Sequence, residues 1–234
     1  MMHDVTVASY NIHKGIGIDR RRDLARIAAV IAEMEADIVC LQEADARFGD
    51  RRGLLDLEAM RRDLGLRRVE VQGRPLSHGW HGNVMLVRDG VEIEDVQTIP
   101  LPGLEARGAV VADLSVRGAP LRAIGTHLAL LGQARLRQST VILDRIAAMS
   151  DRSTVLMGDM NEWRHGKWTL KRFLPHFPHS PTIASFPAPF PVLPLDRIML
   201  SRGRISSFAA HVSPLSRRAS DHLPVRAVLH LDEA

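Results

Sequence analysis

Six short polar clusters, each set at the end of a stretch that reads as β-strand, recur along this chain: Asn11, Glu43, His127, Asp159 with Asn161, Asp196, and Asp221 with His222. A polar residue closing a strand is ordinarily the start of a loop, so one such cluster constrains little. Six in series constrain the fold strongly. Side chains so far apart in sequence act together only if the strands carrying them bring their ends into one cleft.

The hydrophobic pattern supplies those strands. Val5-Thr6-Val7-Ala8-Ser9-Tyr10 alternates before stopping at Asn11. Residues 22–35 place Leu24, Ile27, Ala28, Ile31 and Met34 at helical spacing, and a buried strand is predicted from Ile38 to Leu41. A second helical pattern covers 54–64, and strand-like segments follow near 67–71, 83–88, 91–99, 107–116 and 121–127. Residues 133–149 form the longest amphipathic pattern, with Leu136, Thr140, Leu143 and Ile146 on one face, ahead of the strand Thr154-Val155-Leu156-Met157. The stretch 172–194 carries seven prolines and reads as a long ordered loop, and strands near 196–200, 204–212 and 224–231 complete the pattern. Helices interspersed with many strands, several of them consecutive, predict an α/β fold of two facing mixed sheets with helices outside. With no internal repeat or linker in view, residues 1–234 are expected to form a single domain.

Composition bounds the alternatives. At 234 residues, 45% hydrophobic and 25% charged, the chain has an ordinary globular composition. A chain of this length buries roughly 70% or more of its unfolded surface and needs no staples. Its single cysteine, Cys40, lies in the apolar run Asp37-Ile38-Val39-Cys40-Leu41 and is expected to be a buried, inert thiol. No stretch approaches a membrane-spanning helix and the first residues enter a strand-like run without signal-peptide features, so a cytoplasmic location is expected. A net charge of +4, carried almost wholly by arginine, favours polyanionic partners, although genomic base composition gives the same bias.

The chemistry of the clusters is that of metal-assisted phosphate-ester hydrolysis, which needs charge neutralisation, an oriented water and a stabilised leaving oxygen. A carboxylate and an amide carbonyl at strand ends, Glu43 and Asn11, are hard oxygen ligands suited to Mg²⁺ or Mn²⁺. Alone, Asn11 would read as a turn cap and Glu43 as a solvated acid. In Gly158-Asp159-Met160-Asn161 the glycine permits a tight turn and the alternation sends Asp159 and Asn161 to one side, a carboxylate for water and an amide for the phosphoryl oxygen. His222 can donate to a non-bridging oxygen, with Asp196 as the carboxylate that favours its charged form.

The ordered set Tyr10-Asn11-Ile12-His13-Lys14-Gly15, Leu41-Gln42-Glu43, His81-Gly82-Asn83, Arg107-Gly108, Thr126-His127-Leu128, Gly158-Asp159-Met160-Asn161, Leu195-Asp196-Arg197-Ile198 and Ser220-Asp221-His222 resembles the endonuclease/exonuclease/phosphatase superfamily, the DNase I-like hydrolases. The similarity runs from residue 5 to about 230 and points to compact bacterial members. It implies a DNase I-like four-layer α/β sandwich and a Mg²⁺-dependent phosphoesterase. By the same resemblance Asn11 and Glu43 bind metal with help from Asp221, Asp159 activates water, Asn161 holds the phosphoryl group, and Asp196 orients His222. His127 stands where DNase I-like members have histidine and the abasic-site repair branch has tyrosine, which argues against abasic-site repair and makes His127 a candidate proton donor to the leaving oxygen. Asn83, Arg107 and His81 fall in motifs whose polar groups contact phosphate or support the site.

The leading expectation is a phosphodiesterase, either a nuclease or a phospholipid-headgroup hydrolase, with no obligate protein partner. A phosphomonoesterase on a small phosphorylated metabolite is the second reading. A catalytically silent binding module is the third, opposed by the presence of every member of the set. The proline-rich loop holds Phe173, Phe177, Phe186 and Phe190 and leads into Asp196. Those rings are expected to pack the loop onto the body; exposed, they would form an apolar rim for a lipid tail, a nucleobase or peripheral membrane contact.

Overall fold

The computed structural model describes residues 3–46, 49–73, 75–164 and 168–231. Six strands make the first sheet: β1 (His3–Asn11), β2 (Ile38–Gln42), β3 (Leu66–Arg68), β4 (Val84–Arg88), β10 (Arg204–Ala210) and β11 (Val225–Leu231), in the order β10-β11-β1-β2-β4-β3. Five make the second, in sequence order: β5 (Val91–Leu101), β6 (Arg107–Val116), β7 (Ala119–His127), β8 (Thr154–Asp159) and β9 (Asp196–Leu200). Helices α1 (Leu24–Glu33), α2 (Leu57–Leu64) and α5 (Ser216–Ala219) cover the outer face of the first sheet, and α3 (Gly132–Ala147) and α4 (Trp168–Phe173) that of the second.

Each central strand is apolar on both faces because each sheet is covered on both sides. In β1, Val5 and Val7 point between the sheets while Ala8 and Tyr10 point under α1, against Ile27, Ile31 and Met34. In β8, Val155 and Met157 meet the inter-sheet core while Leu156 packs outward with Ile142 of α3 and Phe173 of α4. The sheets approach closely at Gly125, where a Cβ would stand 2.8 Å from Cys40 Sγ. Cys40 is buried there, and burial pushes its thiol up to about 12, as befits an inert packing residue. The four-layer sandwich implied by the sequence is therefore present.

Local signals account for the helix limits. Asp23 caps α1 by accepting from Arg26 N at 2.9 Å, Asp56 caps α2 from Ala59 N at 2.9 Å, and Gly65 ends α2 at a φ of 62°. In α3 the buried stripe differs from the predicted one: Arg135, Gln138, Ser139 and Ile142 are buried, whereas Leu136, Thr140, Leu143 and Ile146 are only half-buried. The polar stripe wins because most of its groups find partners, Arg135 Nε excepted. Gln138 accepts from Ala129 N at 2.8 Å and donates to Pro102 O at 2.9 Å, and Arg135 pairs with Glu162 at 3.0 Å. The proline-rich stretch is an ordered loop as expected, except that α4 runs into its start; Phe173 and Phe177 are buried, and Phe190 is 82% exposed.

Candidate active site

Topology gathers the polar clusters at one edge. β1 and β2 run parallel, as do β7 and β8, so Asn11, Glu43, His127 and Asp159 lie at or just past carboxyl ends that face the same way within each sheet. The reading that all six clusters end strands needs correction at two places. Asp196 opens β9, and Asp221 and His222 precede β11. Both strands are antiparallel to their neighbours, β9 to β8 and β11 to β1, so their starts reach the edge where the others finish. Asp159 and Asp196 are direct cross-strand partners.

The resulting cleft has a volume of about 910 Å³ and is walled by Asn11, Glu43, His127, Asp159, Asn161, Asp221 and His222 from the expected set, together with Arg107 and His81. Asp159 is its hub. One carboxylate oxygen, Oδ2, accepts from Asn11 Nδ2 at 3.1 Å and lies 3.3 Å from His127 Nε2 and 3.8 Å from His222 Nε2. The other, Oδ1, accepts from Asn161 N at 2.9 Å, and Asn161 itself takes the left-handed conformation, φ 49°. Gly158, φ 148°, lets β8 run close to β7: a Cβ there would stand 1.8 Å from Thr126 O.

The titrations of this buried group follow from its geometry. Burial, reinforced by Asp196, pushes Asp159 up to about 6 against the opposing pull of His222 and the two hydrogen bonds. Burial works against a charge on His222, but Asp196 overrides it, accepting from Nδ1 at 2.8 Å and holding the ring up to about 10. Ser185 Oγ donates to the same Asp196 oxygen at 2.6 Å, fixing the acid that fixes the imidazole. His127 goes the other way: burial, then Arg107, hold it well below the usual histidine range. It is a neutral ring, able to donate one hydrogen bond.

Asp159, Asp196 and His222 lie close enough together to suggest a metal cluster. A charged His222 ring has no lone pair to give, however, and Asp196 Oδ2 is engaged by His222 and Ser185 while its buried Oδ1 lacks a hydrogen-bond partner, an arrangement suited to handling protons. The oxygens that could hold a hard cation are those of Asn11, Glu43 and Asp221, which line the same cleft. Lys14 sits there as an ion-pair partner of Glu43 and, against the effect of burial, holds that carboxyl below the usual range. Asp221 faces His13 at 3.7 Å, and Ser220 Oγ ties its loop to β1 by donating to Asn11 O at 2.7 Å. These oxygens therefore line the cleft, with a lysine ammonium on Glu43.

Of the remaining expected residues, Asn83 sits behind the wall, not on it: its amide donates to Trp80 O at 3.0 Å and Gly108 O at 3.1 Å, joining the loop before β4 to β6. Arg107 lies in the cleft, held by Glu105 through Nε at 3.0 Å and Nη2 at 2.5 Å. His81 packs edge-on against Trp80 with centroids 4.8 Å apart. Residue-by-residue reading passed over Lys14 and Ser220, which lay inside quoted motifs without a role. Ser185 carries no signal of its own, being one serine in a proline-rich loop 11 residues before Asp196.

The profile of the Endonuclease/Exonuclease/phosphatase family matches residues 8–222. The chain belongs to this family, whose members are hydrolases acting on phosphoester bonds. It is 28% identical over 246 residues to an uncharacterized protein, YbhP, of Escherichia coli K12, covering 96% of each chain. Among solved structures it is similar to an endonuclease/exonuclease/phosphatase from Bacteroides vulgatus, with a TM-score of 0.78 at 18% identity, covering 98% of this chain and 100% of that one. It is also similar to a mannosyl-6-phosphatase of Bacteroides thetaiotaomicron, with a TM-score of 0.73 at 17% identity, covering 96% and 99%. Those two likenesses establish the shared fold.

Proposed function

We propose that the chain is a Mg²⁺-dependent phosphodiesterase, Mn²⁺ being able to substitute, that hydrolyses its substrate by in-line attack of water. The observation that carries this reading is the convergence on Asp159 Oδ2 of Asn11, His127 and His222, delivered by β1, β7 and the approach to β11. Asn11, Glu43 and Asp221 would hold the metal, which supplies charge neutralisation at the phosphoryl oxygens. Asp159, raised to about 6, is ionised at neutral pH yet basic enough to take a proton from water. His222, kept charged by Asp196, donates to a non-bridging oxygen. Asn161 spends one amide hydrogen on Leu128 O at 2.9 Å and has the other for the phosphoryl group. His127 donates to the leaving oxygen, and Arg107 forks onto phosphate. Residues 1–234 act as one unit in this reading.

The test is a screen of purified protein over nucleic acids, phospholipids and soluble diesters with Mg²⁺ or Mn²⁺, with Asp159→Asn as the blank. Metal-dependent cleavage absent from the blank supports the reading; inactivity of folded wild type on every substrate defeats it. A phosphomonoesterase is the second reading, favoured by the likeness to the mannosyl-6-phosphatase. It calls for phosphate release from a small metabolite without diester cleavage.

A further inference from the structure

We propose that the substrate is a phosphoester with an apolar tail, drawn from a phospholipid bilayer onto which the mouth of the cleft docks; this rests on the phosphodiesterase reading. A second hollow of about 580 Å³ opens beside the cleft, sharing Leu104 and Glu105 with it and lined further by Pro102, Ala129, Leu131 and Ala134. Its volume lies in the range of ligand pockets. A molecule seated in both needs an anionic phosphoester at one end and a hydrocarbon portion at the other.

The surface around the mouth has the same character. The five most exposed large apolar side chains among the described residues are Leu104 at 98%, Phe190 at 82%, Val192 at 69%, Leu130 at 65% and Leu131 at 62%. All belong to loops bordering the cleft: Leu104 and Leu130 line it, Leu131 lines the adjoining hollow, and Phe190 and Val192 sit in the loop between Phe186 and Leu193, which also line the cleft. Apolar tips gathered at one opening mark an interaction surface. Exposed arginines accompany them, Arg137 at the hollow and Arg164 beside Trp163, with its guanidinium 5.7 Å from the ring. Apolar tips among basic groups suit shallow insertion into an anionic bilayer. Besides Glu105, Gln133 and Arg137, the hollow offers leucine, alanine, glycine and proline but no aromatic face, which fits an acyl chain better than a stacked nucleobase. In the reaction, water oxygen bonds to phosphorus, one P–O ester bond breaks, and the leaving alcohol takes the proton.

Co-sedimentation with phosphatidylcholine vesicles, with and without half phosphatidylglycerol, tests the docking, alongside hydrolysis of bis(p-nitrophenyl) phosphate by wild type with Mg²⁺. Wild type is expected to sediment with the anionic vesicles, and Leu131→Asp and Phe190→Asp each to cut the bound fraction at least tenfold. Leu131→Asp should fold, since Leu131 is the N-cap of α3 without a side-chain cap and aspartate supplies one. Wild type that cleaves the soluble diester yet ignores all vesicles overturns the docking proposal and leaves the phosphodiesterase reading standing. Vesicle binding indifferent to both substitutions, or preference for single-stranded DNA over vesicles, overturns it too. Vesicle binding without cleavage of the soluble diester or of vesicle lipid supports docking and overturns the phosphodiesterase reading with the substrate assignment.

Discussion

Asp159 carries a conflict between stability and function. Its carboxylate is buried and faces Asp196, which together push it up to about 6, so the fold disfavours the charge that the proposed hydrolysis calls for. Because the folded value is raised, the acid costs stability above its ordinary titration range, and a neutral amide removes that cost. Asp159→Asn should therefore lower turnover by about 10²–10⁴-fold while raising metal-free stability by about 1–3 kcal/mol at pH 7. Kinetics and denaturant midpoints in EDTA check both signs, and a less stable variant would contradict the assignment of strain. Lys14 makes a second residue-level case. Its ammonium sits on Glu43, where a divalent ion would compete with it. Lys14→Met should tighten Mg²⁺ binding by about tenfold, on the order of 1 kcal/mol for a partly exposed pair, as read by isothermal titration; unchanged affinity would place the metal elsewhere. Asp159 was legible in sequence because a strand, a glycine and a paired amide frame it. The occupation of Glu43 by Lys14 was not, because it depends on a left-handed backbone at His13, Lys14 and Glu43 that periodicity does not encode.

The strands place these groups, and most strands were visible in advance because both of their faces are apolar. β6 has the predicted limits, whereas α4 and α5, at six and four residues, are too short to establish a period. The buried face of α3 was misjudged because partner groups, not hydrophobicity, decide whether Arg135 and Gln138 are buried. At this scale Gly158 is the most exacting position, since a methyl group would strike Thr126 O and part β8 from β7. Gly158→Ala should cost about 3 kcal/mol or more and abolish turnover, measured by thermal unfolding and kinetics; a silent substitution would mean that the strands tolerate separation. The end of α1 gives a pH test. Burial alone would raise Glu33, but hydrogen bonds from His211 and Ser213 hold it below the ordinary glutamate value. A depressed acid contributes stability above its unfolded value near 4.5 and loses it as pH falls through the folded value. Glu33→Gln should cost about 0.2–1 kcal/mol at pH 7 and less at pH 3; an equal cost at both would remove the pair from the ledger.

For the molecule as a whole, two parallel strand pairs, each spanned by a helix, finish at facing edges, and two antiparallel strands begin there. That arrangement was only partly legible. The ordered motifs announced that the clusters belong together, and the predicted strands at 196–200 and 224–231 already set Asp196 and His222 at strand starts. Neither told that those starts reach the edge where β1, β2, β7 and β8 finish, because direction within a sheet is set by pairing across the whole fold. No helix among the described residues is long and apolar enough to cross a membrane. The central claim is that Asn11, Glu43 and Asp221 form the cation site while Asp159, Asp196 and His222 handle protons. Anomalous diffraction from crystals grown with Mn²⁺ measures this directly. The expected result is a single strong peak bounded by Glu43, Asp221 and Asn11, with Lys14 displaced; a peak between Asp196 and His222, or no peak at saturating Mn²⁺, would contradict it.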